Sequence, residues 1–175
     1  MHKLSARHFL CTLFALSLAI LSLGGCEKLS FTSSDHSVPS FELQELSGKK
    51  TTQNDLSGKV VIVNFWATSC TTCVKEMPEM IKVFNEFHPQ GLDYLAIAMS
   101  YDPPMYVMNY TKTRKLPFRV AMDSDGSVAK AFGKVELTPT TFVINKQGQI
   151  IKRYVGEPDN WDDFRNIIQA ALKTS

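Results

Sequence analysis

Six of the seven positions from Val60 to Trp66 (VVIVNFW) are apolar, and four of them are β-branched. A run of this kind predicts a strand buried on both faces, as in a partly parallel sheet. The spacing then changes. Val74, Met77, Met80 or Ile81, Phe84 and Phe87 recur every three or four residues, which predicts a helix over about 70–87 with one buried stripe and a bend at Pro78. Leu92 to Ser100 (LDYLAIAMS) reads as a second buried strand, and Asp102, Pro103 and Pro104 supply an N-cap and a proline start for a helix reaching about Lys115. Upstream, the short alternating segments of SFELQELSGKKTTQNDLSGK, broken at Ser47-Gly48 and Ser57-Gly58, predict a small edge hairpin. Downstream, PTTFVI and GQIIKRYVG are two strands joined by NKQG. Asp159 or Asn160 caps a last helix whose apolar face is Trp161, Phe164, Ile167, Ile168, Ala171 and Leu172. With no internal repeat, the pattern describes one α/β domain.

The first 25 residues do not belong to that pattern. Lys3, Arg7 and two histidines precede the apolar run Phe9 to Leu23, which ends in Gly24-Gly25-Cys26. Positive, then apolar, then small is the order of a secretory signal, and about 15 apolar or small residues fall short of the roughly 20 a spanning helix needs. LGGC resembles a bacterial lipobox, which would make Cys26 the lipidated N-terminus of the exported chain; ordinary cleavage near Gly25 is the alternative. Acyl chains contribute about 0.8 kcal/mol for each buried methylene, enough in combination for a firm anchor. The organisation expected is a signal at 1–25, a polar serine-rich tether at 26–38 and a folded domain at 39–175.

Removing the signal simplifies both charge and chemistry. It carries two of the 19 basic residues and none of the 17 acidic ones, so 17 of each remain, and nothing electrostatic favours nucleic acid. Of four cysteines, Cys11 lies in the apolar run and Cys26 is the lipidation candidate, leaving Cys70 and Cys73. A zinc site needs three or four ligands, and only His36 and His88 stand in support. A purely structural disulfide spanning three residues closes too short a loop to constrain a core. The remaining reading is a reversible dithiol. At the start of a helix, Cys70 meets unpaired N–H groups and the helix dipole, which favour its thiolate and make it the nucleophile. Cys73, one turn on, is the resolving thiol.

VVIVNFWATSCTTCVKEMP together with TPTTFVI resembles the thioredoxin fold, and specifically the exported thiol-disulfide oxidoreductases of the TlpA/ResA/CcmG kind, over about Val38 to Lys173. The matching features are NFWAT before the CxxC, Pro78 five residues after the second cysteine, and a Thr-Pro pair ahead of a strand. The resemblance implies a thioredoxin-like central mixed sheet flanked by helices, with an N-terminal β-hairpin extension and a βα insertion. It also implies a cis-proline at Pro139, and at Thr138 a backbone that pairs with a bound substrate strand. Trp66, Thr71 and Thr72 join Thr138 as substrate-contact candidates, Trp66 chiefly as packing beneath the loop. The activity implied is reduction of protein disulfides outside the cytoplasm, without a cofactor. A membrane electron donor of the DsbD or CcdA kind would supply electrons, and the clients would be proteins such as apocytochromes c or copper-site proteins.

The chain departs from that pattern in three places. Ser69 stands where tryptophan is usual, Thr71-Thr72 replace a dipeptide that often holds proline, and Asn64 occupies the place of the buried aspartate of cytoplasmic thioredoxins. Glu76 and Glu136 are the candidates for the missing acid/base group. An oxidase or isomerase is the rival within enzymes, and a Cu(I)-handling module using two soft thiolates is the rival outside them. Asp123 to Gly126 (DSDG) lacks the spacing of a calcium loop and reads as a tight turn.

Overall fold

The computed structural model describes residues 36–174. The sequence-assigned signal, the lipidation candidate Cys26 and most of the tether lie outside them. Among the described residues no helix is long and apolar enough to cross a membrane. The elements are β1 (Glu42–Glu45), β2 (Lys50–Thr52), β3 (Val60–Trp66), α1 (Thr71–Phe87), β4 (Leu92–Ala98), α2 (Pro104–Arg114), β5 (Arg119–Met122), α3 (Ser127–Ala131), β6 (Thr140–Ile144), β7 (Ile150–Val155) and α4 (Trp161–Lys173). The strands form one mixed sheet in the order β2-β1-β5-β4-β3-β6-β7. Strands β3, β4 and β5 run parallel, and the remaining pairs are antiparallel.

Strand β3 is apolar almost throughout because both of its faces are covered. Val60, Ile62 and Trp66 point into a core built with α1, α2 and α4, while Val61, Val63 and Phe65 point into a second core with Phe132 of the α3 region and Phe142 of β6. Helix α1 buries Cys73, Glu76, Met77, Met80, Val83, Phe84 and Phe87 and contains Pro78 without interruption. Of the stripe expected, Met77, Met80, Phe84 and Phe87 are buried and Val74 only partly, while Cys73, Val83 and the polar Glu76 join it. In α4, Asn160 is the cap, its side chain accepting from the amides of Asp162 and Asp163.

The β1–β2 hairpin occupies the sheet edge. Arg119 of β5 holds it there, donating to Asp93 at 2.9 Å and to Thr51 at 2.9 Å, with Glu45 at 3.4 Å. The crossover from β4 through α2 to β5 adds a parallel strand between β4 and the hairpin. Ser37 bridges Gln149, and the Val38 amide donates to Gly148 at 2.9 Å, so pairing with the domain begins before residue 39.

Asp102 does not cap α2. Pro103 takes the N-cap position and Pro104 the first turn, where neither needs to donate an amide. The Asp102 carboxylate turns instead to the loop after β3. In DSDG, Gly126 adopts a left-handed conformation (φ 74°) and its amide donates to the Asp123 carbonyl, closing the tight turn. The buried Asp123 carboxylate accepts from the amides of Val128 at 3.1 Å and Ala129 at 2.7 Å.

Candidate active site

Strand β3 ends at Trp66, and the chain crosses the carboxyl edge of the sheet before entering α1. The crossing is pinned by Asp102, whose two carboxylate oxygens accept from the Thr68 amide and the Thr68 hydroxyl, both at 2.6 Å. Cys70 is the N-cap of α1. Its Sγ accepts from the Cys73 amide at 3.2 Å, the interaction that favours negative charge on sulfur at a helix start. Cys70 and Cys73 form a disulfide, with Cα atoms 5.2 Å apart. Cys73 is fully buried, whereas Cys70 is partly exposed. Geometry therefore distinguishes the two sulfurs: only Cys70 is open to attack from outside.

The second wall comes from the loop before β6. Antiparallel pairing of Phe65 with Thr140 brings this loop beside the end of β3. Thr138–Pro139 is a cis peptide, and the Thr138 carbonyl lies 3.4 Å from Cys70 Sγ. The loop is tied on both sides, by the Thr140 hydroxyl donating to the Leu137 carbonyl at 2.7 Å and by the Gly156 amide donating to the Pro139 carbonyl at 2.8 Å. Tyr101 and Thr138 place their hydroxyls 3.2 Å apart.

Beneath the disulfide lies a buried polar group. The side-chain amide of Asn64 donates to Glu76 Oε1 at 3.3 Å and to Thr141 Oγ1 at 2.9 Å. Glu76 is 1 % exposed, and its other oxygen has no hydrogen-bond partner among the described residues. Burial pushes its carboxyl up to about 8, with the Asn64 amide opposing and the charge of Glu157 adding to the rise. Glu76 follows Cys73 by one helical turn, so the two share the buried face of α1.

A family model described as Redoxin matches residues 33–170, which is most of the chain. The chain belongs to the Redoxin family. Among its relatives, the thiol-disulfide oxidoreductase ResA of Bacillus subtilis (strain 168) is 36 % identical over 134 residues, covering 75 % of this chain and 74 % of that protein. ResA of Bacillus thuringiensis subsp. konkukian is 37 % identical over 120 residues, covering 69 % and 68 %. A thioredoxin-family thiol:disulfide interchange protein from Chlorobium tepidum superposes with a TM-score of 0.69 at 33 % identity, covering 78 % of this chain and 95 % of that one. This redoxin is a ResA-like thiol-disulfide oxidoreductase with a thioredoxin-like fold.

The structure brings together Cys70, Cys73, Thr138, Pro139 and Glu76, which the sequence scatters over some 70 positions. Thr71 and Thr72 are exposed on the first turn of α1, at the rim of the disulfide. Trp66 is fully buried, with its ring 5.2 Å from that of Tyr110, and packs beneath the loop, the role the sequence reading put ahead of substrate contact. The two glutamates separate: Glu76 is enclosed beside Asn64, while Glu136 is exposed on the loop before Thr138. Asp102 is the positioning residue that sequence reasoning assigned elsewhere. Its partner Thr68 lies 34 positions away, and helix-capping rules cannot detect such a contact.

Proposed function

We propose that this redoxin reduces disulfides in protein clients outside the cytoplasm, held at a membrane by lipid on Cys26. The observation carrying the reading is the pairing of an accessible Cys70, placed on a helix N-cap, with a Cys73 that shares its buried face with Glu76. The Cys70 thiolate attacks one sulfur of the client disulfide, forming a mixed disulfide and releasing the other client sulfur as a thiolate. Glu76, whose carboxyl is raised to about 8 and is therefore a stronger base than an ordinary carboxylate, takes the proton from Cys73 in its ionised form. The Cys73 thiolate then attacks Cys70 Sγ, the second client sulfur leaves, and the Cys70–Cys73 disulfide forms. Two electrons have passed to the client. A membrane donor of the DsbD or CcdA kind would return them, and apocytochromes c or copper-site proteins are the client classes the family resemblance suggests.

The direction rests on charge. A strong oxidant owes its potential to a stabilised reduced form. Thr71 and Thr72 bring no positive charge to the Cys70 thiolate, and full burial disfavours a thiolate on Cys73. Both features leave the dithiol poorly stabilised and therefore reducing. The backbone at Thr138 would pair with the client strand, and Pro139 would hold that strand against Cys70. The test is a Cys73→Ser variant expressed in cells. It should accumulate clients disulfide-linked to Cys70 that reductant releases; an absence of such adducts would refute the reading.

A further inference from the structure

Five of the seven large apolar side chains that the described domain exposes come from two short segments, 101–108 and 137. Tyr101 is 57 % exposed, Met105 65 %, Tyr106 62 %, Met108 54 % and Leu137 66 %. The near end of each, Tyr101 and Leu137, borders the redox site. Leu137 precedes Thr138, whose carbonyl faces Cys70, and Tyr101 meets the Thr138 hydroxyl. Helix α2, which begins three residues after Tyr101, departs from the other long helices. Whereas α1 and α4 are amphipathic, α2 buries only Val107 and turns methionine and tyrosine to the outside. Its composition does not follow from packing against its own domain.

The charges around this surface are uneven. Helix α2 contains no acidic residue and ends in Lys112 and Arg114, with Met108 and Lys112 four residues apart on one face. Asp102 is buried and committed to Thr68, and the acidic groups exposed near this edge are Glu136, beside Leu137, and Asp125, in the turn that packs against Ser100. Methionine fills irregular space adaptably, and tyrosine offers a large contact area that tolerates water at its hydroxyl.

We propose that Tyr101, Met105, Tyr106, Met108 and Leu137 form the docking surface for the segment of a protein client around its reactive cysteine, and select segments carrying aromatic or aliphatic side chains and no basic ones. The proposal rests on the thiol-disulfide reading above and specifies its substrate class. Any client sulfur reaching Cys70 must bring its neighbouring residues over the Thr138 loop, where Leu137 and Tyr101 stand, and α2 carries the apolar run onward from Tyr101. The lysine and arginine that end α2 disfavour a basic segment and tolerate an acidic one.

The test uses the purified, reduced full chain and two synthetic peptides, each with one cysteine held as a mixed disulfide with glutathione. One peptide carries phenylalanine and leucine beside the cysteine and a glutamate further along; the other carries serines and a lysine at those places. The first should be reduced about tenfold faster or more, the selectivity one well-placed apolar group supplies. The combined substitution Met105→Ser, Tyr106→Ser and Met108→Ser should bring the ratio of the two rates close to one. The single exposed substitution Met108→Glu should narrow it by accelerating the lysine peptide. Equal rates in the unsubstituted protein, or a ratio untouched by both variants, would overturn the proposal. Glutathione disulfide separates the two readings: no reaction with it means that the redox reading fails, whereas reaction with it but equal peptide rates means that only the docking surface fails. Equal peptide rates together with hydrogen-exchange protection of residues 103–115 that appears only on phosphatidylglycerol vesicles would assign the surface to lipid, and overturn the proposal.

Discussion

Replacing Glu76 with glutamine removes a charge while preserving size and the oxygen that accepts from Asn64. The carboxyl has an ordinary value of 4.5 and is raised to about 8 in the fold, mainly by burial. The folded state therefore binds the proton more tightly than the unfolded chain does. Stability from this group is intact below about 4.5, declines as pH rises through the window from about 4.5 to about 8, and levels off above it. Each unit of raised pKa corresponds to about 1.4 kcal/mol, so ionising Glu76 inside the fold costs on the order of 5 kcal/mol by pH 9. Glutamine has no such cost. Urea denaturation of the oxidised protein and of Glu76→Gln at pH 5, 7 and 9 should give near-equal stabilities at pH 5 and a growing advantage for the variant, reaching several kcal/mol at pH 9. The same substitution should slow the attack of Cys73 on a preformed Cys70 mixed disulfide by about a hundredfold or more at pH 7, the usual scale for a lost acid/base group. A stability difference that is flat with pH would refute the assignment of a raised carboxyl, and an unchanged resolving rate would refute its role.

Equilibration of the Cys70–Cys73 pair against dithiothreitol buffers should place its reduction potential nearer that of thioredoxin, about −270 mV, than that of DsbA, about −120 mV; a value at the DsbA end would reverse the proposed direction. Asp102→Ala removes two 2.6 Å hydrogen bonds to a charged acceptor, and should cost roughly 2–4 kcal/mol in thermal or denaturant unfolding. It should also slow reaction at Cys70 with small disulfides, because the Thr68 loop is released. Asn160→Ala deletes the cap of α4 and should cost about 1 kcal/mol while leaving the reduction potential unchanged, which separates a stability effect from one on the site.

Strand β3, helix α1, the β6–β7 hairpin and α4 were legible in the sequence because each is long enough for its hydrophobic period to repeat. Strand β5 is four residues long and α3 five, too short for any period to declare itself. Only the family resemblance anticipated an insertion there. Asp102 shows the opposite failure. An aspartate before two prolines carries a strong local signal for a helix cap, yet the carboxylate meets a better partner from a distant segment.

The sequence by itself determined the reactive pair and which of its thiols stands at a helix N-terminus. The spacing of Cys70 and Cys73 at a strand-to-helix junction sets which thiol meets the helix N-terminus, a local consequence of backbone hydrogen bonding. Tertiary structure decided what surrounds that pair. Asn64 and Thr141 come together through antiparallel pairing of β3 with β6, the Thr138 carbonyl reaches Cys70 through the same register, and Glu76 rather than Glu136 is enclosed because it lies on the inner face of α1. A glutamate's chemistry depends on how completely water is excluded from it. That exclusion is a property of packing between segments distant in the chain, not of the glutamate or its sequence neighbours.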